Sequence, residues 1–485
     1  MSKPQTAQSA VSVPEAAVKT PPVGWALAGL SLSMLLSSLG TSIANVALPT
    51  LAEAFAASFQ QVQWVVLAYL LAITTLIVSA GRLGDIFGHR RVMLAGIAVF
   101  TAASLLSGIS PALPMLIAAR AVQGAGAAVM MALTIGLVRS AVARERTGSA
   151  MGLLGTMSAV GTALGPSLGG LLLAATGWQA IFLVNVPLGI AAFWLALKTL
   201  PADRRRDASE RAGFDRLGTL LLALGLGAYA LATTAGGGHF GLLNAALIAA
   251  AALAVGLFVL AQKKVASPLI RLSALREASL SASLAMNGLV STVMMATLVV
   301  GPFYLSSALG LSTAMTGLVL SIGPVISALS GVPAGRMVDR LQAQPVVTIG
   351  LVAMAAGCVA LALLPPIFGL AGYIAAIAVM TPGYQLFQAA NNTAVMSDVK
   401  PDERGVISGL LILSRNVGLI TGASVMGAVF AFAASVSEIR TARPAAMTTG
   451  MQVTFAVAAV LVGVAFAIWM ASRAGTARAP TPDAP

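Results

Sequence analysis

Charge is scarce in this sequence. Of 485 residues, 9% are charged and 58% are hydrophobic, whereas a water-soluble globular chain carries roughly 25% charged residues; a soluble fold is excluded. The two histidines, His89 and His239, both fall outside the long apolar runs, so no haem or metal ligand of that type is offered within the membrane. The single cysteine, Cys358, rules out an internal disulfide and any cysteine-rich metal or iron–sulfur centre, and reads as a small packed core residue. A GxxxxGK[ST] phosphate loop is missing, which excludes a primary pump built on one. Neither enzymatic activity nor a cofactor or bound metal is expected.

Long apolar runs are what the sequence has in abundance. An α-helix crosses a bilayer in about 20 residues, and fourteen such runs fall near 24–48, 62–83, 92–110, 112–139, 149–173, 178–200, 214–235, 241–262, 279–306, 313–338, 345–364, 367–396, 405–434 and 447–471. The ten-residue alternation of a membrane β-barrel is missing, so an all-α integral membrane protein is expected. The net charge of +13 would suggest nucleic acid in a soluble chain, but here it marks orientation. With both termini cytoplasmic, every Lys and Arg except Arg120, Arg415, Arg440 and Arg443 lies in a cytoplasmic segment or span end, as the positive-inside rule requires. The lipid bilayer is therefore the expected surrounding, and no nucleic-acid partner is expected.

Polar stretches divide the runs. Residues 1–23 read as a disordered cytoplasmic tail without the pattern of a cleaved leader, so the first run is expected to stay. A six-helix bundle is expected over 24–200, a cytoplasmic linker over 201–216, two extra spans over 217–262, a second linker over 263–278, a second six-helix bundle over 279–471 and a disordered tail over 472–485. GRLGD at 81–85 follows span 2, and GRMVD at 335–339 follows span 10. With spans 7 and 8 set aside, the two copies stand at the same place in two six-helix halves, the pattern of a transporter built from parallel repeats. Gly81, Asp85, Arg90 and Arg91, with Gly335, Arg336, Asp339 and Arg340, are the candidates for a latch that holds one face shut.

Four further stretches carry information. RAVQGAG (120–126) puts Arg120 inside span 4, where an ionisable side chain is costly and marks function by default. GTALGPSLGG (161–170) combines small residues, which let helices approach closely, with Pro166, which breaks a backbone hydrogen bond; Gly161, Gly165, Pro166, Gly169 and Gly170 would form a close-packed, kinked surface. WQAIFLVNVPLG (178–189) opens span 6, and LGTSIANVALP (39–49) closes span 1. Together these stretches resemble the major facilitator superfamily, and within it the fourteen-span drug:proton antiporter family, over nearly the whole chain after residue 24. The resemblance implies two six-helix bundles plus two extra central spans, a link between Arg120 and proton movement, and the antiporter signature at 161–170. Three positions depart from the family. Gly40 stands where span 1 usually carries an Asp, and Ile86 and His89 stand where the loop signature usually has basic residues.

None of the fifteen acidic residues lies in the middle of a span. Glu53, just beyond span 1, is the best carboxylate left to work with Arg120 in proton coupling. Arg415, about 15 Å into its helix, would be a fixed positive site near the midplane, facing substrate or locking helices together. Asn45, Gln123, Asn287, Gln385, Gln388, Asn391 and Asn392 could complete a hydrogen-bonding lining, and Tyr69, Tyr304 and Tyr384 could stack on a flat ligand. The leading expectation is a monomeric, multi-pass inner-membrane exporter of amphipathic small molecules (drugs, antibiotics or toxic metabolites), driven by protons through alternating access. The other is a facilitator or anion-preferring metabolite exporter without conventional proton coupling, which the missing span 1 acid favours.

Overall fold

The computed structural model describes residues 23–141, 147–201, 203, 215–235, 241–265, 277–397, 404–434 and 443–477. Fourteen helices are long and apolar enough to cross a bilayer, and no strand occurs among the described residues. Spans 1 to 6 are Gly24–Val46, Phe59–Ile77, His89–Gly108, Leu113–Val138, Leu153–Thr176 and Ala180–Thr199. Spans 7 and 8 are Arg216–Thr234 and Leu242–Lys264. Spans 9 to 14 are Ala278–Ala308, Thr313–Leu341, Ala343–Leu363, Pro365–Met396, Gly409–Ala433 and Pro444–Arg473.

The helix carrying span 2 shows how local sequence sets its ends. Ser58 accepts a hydrogen bond from the Gln61 backbone N–H, and the Gln61 side chain accepts one from the Ser58 N–H, a reciprocal cap that satisfies donors the first turn leaves orphaned. The helix then continues to Phe87 and stops at Gly88, whose φ of 98° is open to glycine and strained for other residues. The GRLGDIF stretch is thus helical, not the loop expected from sequence. GRMVD likewise lies inside the helix Thr313–Leu341.

The two halves repeat each other in their packing. Span 1 packs on spans 5 and 6, span 4 on spans 2 and 3, and span 3 on span 6; span 9 packs on spans 13 and 14, span 12 on spans 10 and 11, and span 11 on span 14. Small residues make the closest approaches. A side chain at Gly165 would run into Ser42 of span 1, and one at Gly170 would lie 2.8 Å from the Gly317 Cα of span 10. The 161–170 stretch therefore faces two ways, towards span 1 within its own half and towards span 10 in the other.

The halves meet firmly at one end of the helices, the end that the charge distribution predicts to face outward. Phe59 of span 2 packs against Phe303 of span 9 and Phe430 of span 13 with ring centroids 4.8 and 5.7 Å away, and the Gln63 side chain donates to the Ala423 carbonyl at 2.9 Å. Spans 7 and 8 form a hairpin at the side. Asp215 caps span 7 through the Gly218 N–H and accepts from Gln262 of span 8 at 2.6 Å, while Asn244 donates to the Ala232 and Ala235 carbonyls at the other end. Span 7 is bonded to both halves, through Trp64–Thr234 and Ser79–Thr219 to span 2 and through Tyr229–Thr421 to span 13. Large apolar side chains such as Leu242, Leu329 and Ile367 are exposed on the outside, as expected where hydrocarbon is the solvent.

Candidate functional site

Below the outer seal, a cavity of about 290 Å³ opens between span 5 of the first half and spans 9, 10, 12 and 13 of the second. Its polar wall comes from Ser158 and Thr162 of span 5, Thr297 of span 9, Ser327 of span 10, Thr381, Gln385 and Gln388 of span 12, and Arg415 of span 13. Tyr373 and Tyr384 add ring faces, and Met294, Leu298, Val319 and Leu419 are among its apolar lining. Prolines inside spans 10 and 12, Pro324 and Pro382, interrupt the helix ladders near this level.

The cavity holds a positive charge and no negative one among its lining residues. Arg415 is exposed, and its guanidinium makes no hydrogen bond or ion pair among the described residues. It stands about 16 Å along its helix from Arg404. The helix-lock alternative therefore has no bonding partner to support it. Beside it, Gln385 donates to Ser327, Gln388 donates to the Tyr384 hydroxyl at 3.2 Å, and the Gln388 carbonyl oxygen is buried without a donor. Tyr373 stacks on Tyr304 at 6.3 Å.

Arg120 is held in the opposite manner. It is fully buried. Its guanidinium donates to the Val65 carbonyl at 3.0 Å, to the Gln123 side-chain oxygen at 2.5 Å and to the Gly40 carbonyl at 2.8 Å. Gln123 in turn donates to Ser104 at 2.7 Å. The Tyr69 ring lies under the guanidinium at 4.1 Å, and its hydroxyl donates to the Ser37 carbonyl at 2.8 Å. One charge thereby ties spans 1, 2 and 4 together, with span 3 joined through Ser104. At the position where the resemblance implies an aspartate, the chain offers the Gly40 carbonyl, and the Tyr69 hydroxyl fills the space beside it: a Cβ at position 40 would lie 2.7 Å from that oxygen.

Only three of the eight residues expected to bind substrate line the cavity: Gln385, Gln388 and Arg415. Asn45 bonds carbonyls of its own helix, at Thr41 and Ser42; Gln123 serves Arg120; Asn287 donates across to the Leu411 carbonyl of span 13 at 2.9 Å. Asn391 is buried outside the lining, and Asn392 is exposed outside it. Glu53 is exposed on the short helix Leu48–Ala54 and is not among the partners of Arg120. Of the aromatics, Tyr384 lines the cavity, Tyr69 serves Arg120 and Tyr304 backs Tyr373.

At the opposite end of the helices, the Arg90 and Arg91 backbone N–H groups donate to the two carboxylate oxygens of Asp203 at 2.9 and 3.1 Å, and the Arg90 guanidinium donates to the Leu197 carbonyl. These bonds fasten the start of the linker to span 3 within one half. The side chain of Asp85 lies outside the described residues, and Arg336, Asp339 and Arg340 are exposed with no side-chain bond to the first half among them. Sequence reasoning passed over Tyr373, Thr297, Ser327 and Asp203. It also missed Ser158 and Thr162, whose four-residue spacing just ahead of the glycine-rich stretch was an available signal for one polar face.

Comparison with known proteins agrees with this fold. The Major Facilitator Superfamily model matches residues 30–423. The uncharacterized transporter YebQ of Escherichia coli is 33% identical over 83% of this chain and 88% of its own length. The riboflavin transporter RibZ of Clostridioides difficile is 30% identical over 83% and 87%, and the multidrug resistance protein Stp of Mycobacterium tuberculosis is 31% identical over 83% and 74%. Among solved structures, the nucleoside transporter NupG covers 92% of this chain and 99% of its own with a TM-score of 0.64 at 14% identity, a likeness of fold.

Proposed function

We propose that this chain, which belongs to the Major Facilitator Superfamily, exports amphipathic small molecules across the cytoplasmic membrane, with a preference for anionic or electron-rich aromatic ones. It is a transporter and not an enzyme. The observation that carries the substrate preference is Arg415: a guanidinium without an ion pair among the described residues, on the wall of a cavity whose lining contains no carboxylate. Such a wall attracts negative charge and repels organic cations. Tyr373 and Tyr384 supply faces for a flat ring, and Gln385 and Gln388 supply amides that can turn to meet different acceptors. An outer seal of three phenylalanines above the cavity fits the loading state of an exporter that works as a monomer by alternating access.

For the energy source, the leading reading is exchange against protons, with Glu53 at the outer surface as our candidate titrating group and Arg120 holding the first bundle in register. One observation favours uncoupled or unconventionally coupled transport instead. Arg120 is satisfied by two carbonyls and an amide, and no carboxylate is among its partners. The deciding experiment uses everted vesicles, with ΔpH and membrane potential imposed separately, and a panel of anionic, neutral and cationic fluorescent dyes. Accumulation of anionic and neutral dyes that collapses with ΔpH is the expected result. Accumulation of cations alone overturns the substrate reading, and indifference to ΔpH overturns the coupling.

A further inference from the structure

A second cavity, of about 780 Å³, lies away from the first, in the angle between spans 2 and 4 of the first bundle and span 7 of the hairpin. Its walls are built on small residues, Ala68 and Ala72 of span 2, Ala118 and Ala121 of span 4 and Ala223 of span 7, so the three helices leave a trough between their backbones. Polar bonds pin span 7 to span 2 at both ends of the trough, Trp64 to Thr234 at 3.1 Å and Ser79 to Thr219 at 2.7 Å. Between these pins span 2 rises about 22 Å, somewhat more than the roughly 15 Å of hydrocarbon in one leaflet. Pro114 and Ala118 on one wall and Leu220 on the other are exposed, so the trough opens sideways towards the bilayer.

Its polar groups are few. The Trp64 indole donates to Thr234, Thr75 donates to the Leu71 carbonyl, and Thr219 is bonded to Ser79. The remaining one is Arg216, at the cytoplasmic end of span 7, exposed and without a hydrogen bond or ion pair for its guanidinium among the described residues. A peptide segment in this trough would bring backbone N–H and C=O groups into walls that offer them almost no partners, which is costly in hydrocarbon. An acyl chain asks for no such partners. A basic residue at the cytoplasmic mouth of a groove between helices is the setting in which an anionic headgroup is recognised.

We propose that this trough is a binding site for an anionic phospholipid of the cytoplasmic leaflet, with an acyl chain along the alanine floor and the phosphate at Arg216. The lipid completes the joint between the extra hairpin and the first bundle, a joint that protein side chains leave unfilled between its two pins.

The test measures lipid retention by native mass spectrometry on the full-length protein, delipidated in mild detergent and returned to phosphatidylglycerol or phosphatidylcholine. The wild type is expected to retain phosphatidylglycerol in preference to phosphatidylcholine. Arg216→Gln should lower that preference about fivefold, the factor that one interfacial arginine contributes, without altering the elution profile of the folded protein. Ala223→Phe, which fills the trough, should lower retention of both lipids; if that variant does not fold, Ala118→Phe fills it from the other wall and carries the same measurement. Equal retention of both lipids by wild type and Arg216→Gln would overturn the proposal. So would a filled trough that leaves lipid retention intact while changing dye export, because the trough would then be a substrate route.

Discussion

The two arginines inside the membrane, Arg120 and Arg415, look alike in the sequence and are opposites in the structure. Arg120 is fully buried, with three hydrogen-bond acceptors and a tyrosine ring for a single guanidinium. Arg415 is exposed to a cavity and has none among the described residues. A charge costs several kcal/mol to hold in the membrane. Where the protein supplies the partners, as at Arg120, that cost is met for the sake of architecture; where the described residues supply none, as at Arg415, our reading is that the partner arrives from outside. The difference teaches that an intramembrane charge is read by its partners and not by its depth.

Replacing the satisfied arginine should have the largest effect. Arg120→Ala removes three charge-assisted hydrogen bonds and opens a cavity among spans 1, 2 and 4, so a loss of about 3 kcal/mol in stability is expected, with transport abolished. Arg120→Lys should recover only part of this, because an ammonium lacks the planar fork that reaches the Val65 and Gly40 carbonyls and the Gln123 side chain together. Thermal unfolding in detergent, read beside vesicle transport, checks both variants. A fully stable but inactive Arg120→Ala would show that the residue acts in coupling and not in architecture.

The comparison can be sharpened by giving Arg120 the acid it lacks. Gly40→Asp alone should destabilise by about 2 kcal/mol, because its Cβ would overlap the Tyr69 hydroxyl. Combining it with Tyr69→Phe removes that oxygen and leaves a carboxylate beside the guanidinium. The double variant is expected to regain most of the stability and to show a stronger dependence of export on ΔpH than the wild type. Unchanged ΔpH dependence would mean that position 40 is not where coupling resides.

Arg415→Ala should leave folded yield unchanged, since no bond to another described residue is lost, and should weaken export of anionic dyes about tenfold, the scale of one charge-assisted hydrogen bond. Cationic dyes should gain relative to anionic ones. A drop in folded protein with no change in dye preference would turn Arg415 into a second Arg120.

The spans, the internal repeat and the glycine-rich stretch were legible in the sequence because each depends on local composition: run length for the spans, a five-residue motif at matching places for the repeat, small residues at fixed spacing for the packing surface. What was not legible was the rotation of each helix about its axis. In a soluble helix the polar stripe marks the outside, but a membrane helix is apolar towards lipid and towards its neighbours alike, so an isolated amide such as Asn287 gives no sign of whether it faces a cavity or another helix. Asn287 binds a carbonyl of span 13 and Gln388 faces the cavity, although both are amides in spans of the second half. Tyr373 was passed over for a related reason: it lies near the start of its helix, where aromatic residues are expected to anchor at the membrane interface.

Tyr373 offers the smallest and most selective way to probe the cavity. Its ring is buried and stacks on Tyr304, so Tyr373→Phe keeps the packing and removes only the hydroxyl, which makes no hydrogen bond among the described residues and belongs to a side chain on the cavity wall. Stability should therefore be unchanged. If the hydroxyl serves the ligand, export of dyes with a hydrogen-bonding ring substituent should weaken about fivefold, the scale of one neutral hydrogen bond of about 1 kcal/mol, and dyes without such a substituent should be unaffected. Equal effects on both groups of dyes would mean that Tyr373 shapes the cavity through its ring alone, leaving Arg415 and the two glutamines of span 12 as the polar contacts that select the substrate.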